Sequence, residues 1–130
     1  MLKIEALAGA IAHAYGALNP ESESFACLNP GMLRSHSLDR ILPVNESGVR
    51  VFSSFQGGWR ALIENLVAKC KGNTHAKGES GSRITTESTL ADLLKSFRYV
   101  PVKPVVDYLQ TAIGDSAITE HTPLLYFIED

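Results

Sequence analysis

The sequence predicts a single, mainly α-helical domain of about five helices, with one minor β-hairpin near residues 31–53. Apolar residues recur at helical spacing along most of the chain. Capping residues stand before several of these stripes, and one short run has the composition of a β-strand. A chain of 130 residues has the usual length of one domain and can bury a core without disulfides or metals.

The first helix is predicted at residues 2–18. Its apolar positions form one stripe: Ile4, Leu7, Ala8, Ile11, Ala14, Tyr15 and Leu18. Asn19 precedes Pro20, and a residue before proline avoids helical backbone angles. The helix is therefore expected to end there.

Residues 19–48 are rich in Pro, Ser and Asn and are expected to be irregular. The β-prone run "GVRVFSS" (48–54) follows them, and "NESG" (45–48) supplies turn residues before it. Pairing of this run with "MLRS" (32–35) is predicted to form the hairpin.

The clearest helix is predicted at residues 57–71. Ser53 and Gln56 have the spacing of a capping box, and Gly72 stands where a helix-ending glycine belongs. The apolar face consists of Trp59, Leu62, Ile63, Leu66, Val67 and Cys70. This helix is expected to be the spine of the core.

A Gly/Ser-rich stretch at residues 72–88 has no periodicity and is predicted to be a flexible, exposed loop inserted in the domain. Helices are predicted to resume with Thr89 and Asp92, a second capping-box pair. A further apolar stripe runs from Val102 to Ile113 and stops at Gly114. The last helix, within 121–130, is predicted to have Thr122 as N-cap and Pro123 at its first position.

Composition excludes several classes of function. The net charge is −2, so we expect neither nucleic acid nor a membrane surface as a partner. No apolar run reaches the roughly 18 residues of a membrane span, and Glu5 and His13 interrupt the first helix where a signal peptide would be apolar.

Cys27 and Cys70 are expected to be free, packed thiols. The histidines lack metal-site spacing, so no metal or cofactor is expected.

The order of these segments resembles a family of lysozyme-like domains in bacteriophage structural proteins and bacterial relatives. The similarity lies in an N-terminal helix, the corner "NPGMLR" (29–34) and the helix entry "FSSFQGG" (52–58). It continues through "STLADLL", "VVDYLQTAIG" and "TPLLYFIED", which are similar to the last three helices of the family. The resemblance implies a small helical fold around a glycan-binding groove, and a cytoplasmic or phage-associated location.

The chain departs from the family at the position of the catalytic acid. Many members have Glu-Gly at the end of the first helix, where this chain has Tyr15 and Gly16. Glycoside cleavage needs an acid that protonates the leaving oxygen, and tyrosine, with an ordinary pKa of about 10, is a poor substitute. Residues 26–28 (Ala-Cys-Leu) also stand where the family has Arg-Asn-Asn.

The sequence therefore predicts a non-catalytic module that binds peptidoglycan, another glycan or a partner protein through a cleft. The predicted contact residues are Tyr15, Asn29, Arg34, Gln56 and Trp59. Three of these residues also have a purely structural interpretation. Asn29 begins an Asn-Pro-Gly sequence typical of a turn, with Gly31 at the position that requires positive φ. Arg34 can pin the corner to a carboxylate such as Glu5 or Glu64, and Trp59 lies on an apolar stripe.

An alternative from another class is a peptidoglycan glycosidase or lytic transglycosylase. Glu21 and Glu23 follow the first helix, and either would serve as the general acid. The stretch "ESF" (23–25) is faintly similar to the Glu-Ser-x-Phe of lytic transglycosylases, but here Pro20 precedes it. The opposing interpretation is that both are solvated carboxylates in a loop.

Overall fold

The computed structural model describes residues 2–34, 43–74, 76–78, 81–98 and 100–129. Within these ranges the protein is mainly α-helical, which confirms the predicted class. The helices are α1 (Lys3–Ala14), α2 (Glu23–Ala26), α3 (Phe55–Cys70), α4 (Leu90–Lys95), α5 (Val102–Leu109) and α6 (Leu125–Ile128). A π-helical turn, Gln110–Gly114, continues α5. None of the helices in these ranges is long and apolar enough to cross a membrane.

Helix α1 packs against α3, α5 and α6 and lies at the centre of the core. Four of its alanines are buried together with Ile4, Leu7 and Ile11, so the core takes up most of its circumference. Helix α3 supplies three fully buried side chains to the same cluster, namely Leu62, Leu66 and Cys70. Cys27 and Cys70 are both free and buried, as predicted.

Helix α1 ends at Ala14, four residues before its predicted end. Gly16 adopts a positive φ of 68°, its N–H donates to His13 O, and the Ala17 N–H donates to Ala12 O. This pair of bonds is the Schellman arrangement, which satisfies carbonyls at a helix C-terminus. The prediction that Pro20 ends the helix was wrong because Gly16 reverses the chain first.

Helix α3 begins at Phe55, because Ser54 rather than Ser53 is its N-cap. The Ser54 hydroxyl accepts a hydrogen bond from the Gly57 N–H at 3.0 Å. At the other end, Gly72 has a φ of 76° and donates to Lys69 O. The predicted glycine cap is thus confirmed.

The predicted hairpin is reduced to isolated antiparallel bridges, Arg34 with Val49 and Val44 with Arg50. A regular ladder does not extend through Leu33, because its N–H donates to the Asn29 side chain at 2.9 Å. The predicted pairing of 32–35 with 48–54 is thus present as the Arg34–Val49 bridge, but it does not extend into two regular strands within the described residues. Residue 35, the end of the predicted first strand, lies outside them.

The segment at 72–88 is less exposed than predicted. The Ile84 side chain is completely buried in the core, and its N–H donates to Ala76 O at 2.9 Å. A bridge joins Lys77 to Arg83 beside it. Residues 75, 79 and 80 of this segment lie outside the described residues.

The predicted starts of the last helices have mixed outcomes. Thr89 and Asp92 form the predicted capping box at α4. Helix α6 begins at Leu125, so the predicted cap at Thr122 was wrong. The Thr122 hydroxyl instead accepts from the Thr119 N–H at 2.9 Å, and Pro123 pairs with Thr89 in an antiparallel bridge.

Candidate functional site

Two grooves contain most of the predicted contact residues. One has a volume of about 690 Å³ and is lined by the corner at 31–34, residues 49–50, the C-terminal half of α3 and residues 96–98. We call it the polar groove. The other, of about 1050 Å³, lies between α1 and the first half of α3 and includes Tyr108. We call it the aromatic groove.

The structure separates the predicted residues between these grooves. Tyr15, Glu23 and Arg34 line the polar groove, whereas Gln56 and Trp59 line the aromatic groove. Glu21 is exposed in the turn between α1 and α2 and lines neither of the two. The predicted set is therefore not one constellation.

Asn29 is fully buried and its side chain is used inside the protein. Its Nδ2 donates to Leu33 O and Arg50 O, both at 2.9 Å, and its Oδ1 accepts from the Leu33 N–H at 2.9 Å. These bonds hold the two segments that line the polar groove. Asn29 acts on the groove through its walls and presents no polar atom to a ligand.

The Asn29–Met32 turn differs from the predicted one. The Met32 N–H donates to Asn29 O at 3.1 Å, but the positive φ values are at Leu28 (52°) and Met32 (48°), not at Gly31. Positive φ costs a non-glycine residue on the order of 1 kcal/mol. The buried Asn29 bonds on either side of the turn hold this conformation.

Tyr15 stands at the inner wall of the polar groove, just after α1. Its hydroxyl donates to Arg98 O at 2.8 Å, which ties the end of α1 to the segment after α4. Burial is the main reason that the pKa of Tyr15 is raised to about 12, an effect that outweighs the Arg98 carbonyl bond and the nearby Arg34 charge. The hydroxyl therefore keeps its proton at neutral pH.

Asn65 and Lys69 also line this groove, and neither was predicted from the sequence as a site residue. Lys69 is only 7% exposed; its Nζ donates to the Ser96 hydroxyl at 2.9 Å and lies 4.0 Å from the centre of the Phe97 ring. Burial lowers the pKa of Lys69 to about 8. The Asn65 Oδ1 is buried and has no hydrogen-bond partner within the described ranges. The i, i+4 spacing of the two residues predicts that they share a helix face, but no local pattern predicts that Lys69 is buried.

The charge of the polar groove is opposite in sign to that of the whole chain. Among the described residues its lining includes the cations Arg34, Arg50, Lys69 and Arg98, and the carboxylates Glu23 and Glu64. The chain as a whole has a net charge of −2. Both carboxylates are exposed, as are Arg34 and Arg98. Arg50 is half-buried and Lys69 is buried, so the less exposed charges of this lining are positive.

Arg34 and Glu23 both form hydrogen bonds to the turn at 45–48. One Arg34 guanidinium nitrogen donates to Ser47 O, which holds the turn at 45–48. The Glu23 carboxylate accepts a hydrogen bond from Asn45 Nδ2, which belongs to the same turn. Both residues stabilise one wall of the polar groove and are exposed to solvent.

The aromatic groove has a different chemistry. The Phe55 and Trp59 rings are stacked with centroids 6.3 Å apart, and His13 and Tyr108 form another ring pair at 5.7 Å. Trp59 is half-buried and also packs against the core. Gln56 is exposed at the same groove.

No protein-family model, curated protein or solved structure matches this chain significantly. Within the described part of the chain, no group of three His, Cys, Asp or Glu side chains is arranged to hold a metal ion. The charged and polar side chains that line the polar groove are four cations, the carboxylates of Glu23 and Glu64, the Asn65 amide and the hydroxyls of Tyr15 and Ser96.

Proposed function

We propose that the protein is a non-catalytic, lysozyme-like module that binds peptidoglycan through the polar groove. The observation that carries this proposal is the combination of a positive groove and a tyrosine at the position of the family acid. The Tyr15 hydroxyl donates to Arg98 O and keeps its proton at neutral pH. The groove thus offers binding groups without a general acid at that position.

The exposure of the carboxylates supports the non-catalytic part of the proposal. A glycosidase acid is typically desolvated, which keeps it protonated until it donates to the leaving oxygen. Glu23 and Glu64 line the polar groove but are exposed, and Glu21 is exposed outside it. Glu23 also accepts a bond from Asn45. None of the three has the buried setting of such an acid.

The groove charge supports peptidoglycan over a neutral polysaccharide. The peptide stems of peptidoglycan have carboxylates, and arginine binds carboxylates through its planar fork of donors. Arg34 and Arg98 lie at the exposed part of the groove. Electrostatic complementarity of this kind favours encounter and orientation of the ligand.

The test is a pull-down on purified, insoluble peptidoglycan, with turbidity followed in the same samples. We expect the wild type to stay with the pellet and the turbidity to remain constant. The double variant Arg34→Gln/Arg98→Gln should be retained at least tenfold less. Arg60→Gln is the matched control, because Arg60 is an exposed α3 arginine at the aromatic groove.

Two outcomes would contradict the proposal. Absence of the wild type from the pellet would refute peptidoglycan binding and direct the search to a protein partner. Clearing that is lost in Glu21→Gln or Glu23→Gln would show a glycosidase. Thermal melting of every variant separates lost binding from lost folding, since Arg34 also bonds to Ser47 O.

A further inference from the structure

Asn65 and Lys69 lie four residues apart on α3 and both line the polar groove. Residues at this spacing share one helix face, with Cβ atoms about 6 Å apart. The two side chains therefore leave the helix on the same face, at the wall of the polar groove.

The Lys69 ammonium is a buried charge whose known partners are neutral. Its Nζ donates a hydrogen bond to the Ser96 hydroxyl, which in turn donates one to Leu93 O at 2.6 Å. The Phe97 ring provides a cation–π contact. No carboxylate within the described ranges forms an ion pair with Lys69. Buried charges in proteins are usually paired with an opposite charge, and a ligand carboxylate would provide one.

The Asn65 Oδ1 is a buried hydrogen-bond acceptor without a donor among the described residues. Buried polar atoms almost always have a partner, and an unsatisfied one costs about 1–3 kcal/mol. A ligand N–H in the groove would satisfy this oxygen. The Asn65 oxygen needs a hydrogen-bond donor, and a simple carboxylate has none.

We infer that Asn65 and Lys69 form a binding site for an N-acyl amino acid with a free carboxylate. The Lys69 ammonium binds the carboxylate, and the Asn65 Oδ1 accepts the adjacent amide N–H. In such a compound the two groups are attached to one carbon, which matches the short spacing of the two side chains. Ala61 and Phe97 supply apolar surface at the same groove, where a small side chain or the acyl group packs.

This inference rests on the proposed function, because the free ends of peptidoglycan stem peptides have this chemistry. It names the part of that ligand which binds to Asn65 and Lys69. The glycan strand would then follow the outer part, near Arg34 and Arg98. The site nevertheless makes a separate prediction about a small compound that contains no sugar.

Isothermal titration calorimetry with N-acetylalanine tests the site directly. Two matched compounds identify the groups recognised: its methyl ester lacks the carboxylate charge, and O-acetyllactate has an ester oxygen in place of the N–H. We expect measurable binding of N-acetylalanine and at least tenfold weaker binding of each analogue. Equal affinity for the methyl ester would overturn the role of Lys69, and equal affinity for O-acetyllactate would overturn that of Asn65.

Protein variants provide the second arm. Lys69→Met keeps the length of the side chain without its charge, and Asn65→Leu keeps the shape without the acceptor. Each should weaken N-acetylalanine binding at least tenfold, whereas Lys95→Met, an exposed change on α4, should not. Wild-type affinity in both Lys69→Met and Asn65→Leu would refute the site. Inorganic phosphate that binds as tightly as N-acetylalanine would show a simple anion site instead.

The two proposals can fail separately. If peptidoglycan retains the protein but N-acetylalanine does not bind, the inferred site is wrong and the proposed function stands. If N-acetylalanine binds but peptidoglycan does not retain the protein, the site stands and the proposed function is wrong. Thermal melting of Lys69→Met and Asn65→Leu shows whether each variant is folded.

Discussion

The Asn29 side chain joins the corner that follows α2 to the chain at Arg50, through an Nδ2 to O distance of 2.9 Å. The same amide binds both the N–H and the carbonyl of Leu33. One buried side chain thus replaces part of a β-ladder between the two segments. Because both segments line the polar groove, the amide determines the position of that wall.

Replacement of Asn29 by alanine should lower the free energy of unfolding by about 3 kcal/mol. It removes three hydrogen bonds and leaves buried backbone groups without partners, each worth about 1 kcal/mol or more. Urea denaturation measures the change. Asn19→Ala is the control, because the exposed Asn19 makes one local side-chain bond, to the Glu21 N–H. Equal losses in the two variants would contradict a special role for Asn29.

Two adjacent glycines in α3 should respond differently to alanine. A Cβ on Gly58 would lie 2.0 Å from Leu28 O, whereas one on Gly57 would meet the Ser54 hydroxyl at 3.3 Å. We expect Gly58→Ala to destabilise the fold by several kcal/mol because helix and corner must separate. Gly57→Ala should change stability by less than about 1 kcal/mol. Thermal or urea unfolding of the pair measures this contrast, and similar values would show that α3 can shift at low cost.

The sequence predicts α1, α3, α4 and α5 because their apolar stripes face one core. It does not predict the four-residue α2, which lies in the stretch 19–48 that was expected to be irregular. Helix ends are harder to place, since Gly16 and Pro20 are both plausible stops and the nearer one prevails. The start of α6 depends on tertiary pairing between Thr89 and Pro123. The helical propensity of the residues around Thr122 cannot predict this pairing.

Only part of the candidate site is predictable. Tyr15, Glu23 and Arg34 do line one groove, but a lysine in an amphipathic helix is ordinarily expected to face solvent. Lys69 is buried because Ser96 and Phe97, distant in sequence, lie against it. Its role follows from tertiary packing and not from a local pattern.

Trp59 should report which groove is occupied. It is the single tryptophan of the chain and is stacked with Phe55 at the aromatic groove. Six residues of helix separate it from Asn65, which places the two on different faces. Saturation with N-acetylalanine should therefore leave Trp59 fluorescence unchanged. Phe55→Leu should shift the emission and so show that the probe is sensitive. A ligand-induced shift of similar size would instead place the ligand at the aromatic groove.

The pH dependence of stability should reveal the buried ammonium of Lys69. Its pKa is lowered by burial to about 8, from 10.5 when exposed. Between these values the native protein has released the proton while the unfolded chain still holds it, so stability rises with pH. The penalty is complete below pH 8, and its relief amounts to roughly 2–3 kcal/mol between pH 7 and pH 10.

The difference in unfolding free energy between wild type and Lys69→Met isolates this effect. Burial also raises the pKa of Cys70 to about 12 from 9.0, so its contribution is lost as pH rises from 9 to 12, the opposite direction. Cys70 is present in both proteins, and most of its effect cancels. Urea denaturation at pH 7 and pH 10 should show wild type gaining on the variant by the stated amount. A constant difference would mean that the Lys69 amine is solvated in the folded protein, which would remove the unpaired buried charge on which the inferred carboxylate site depends.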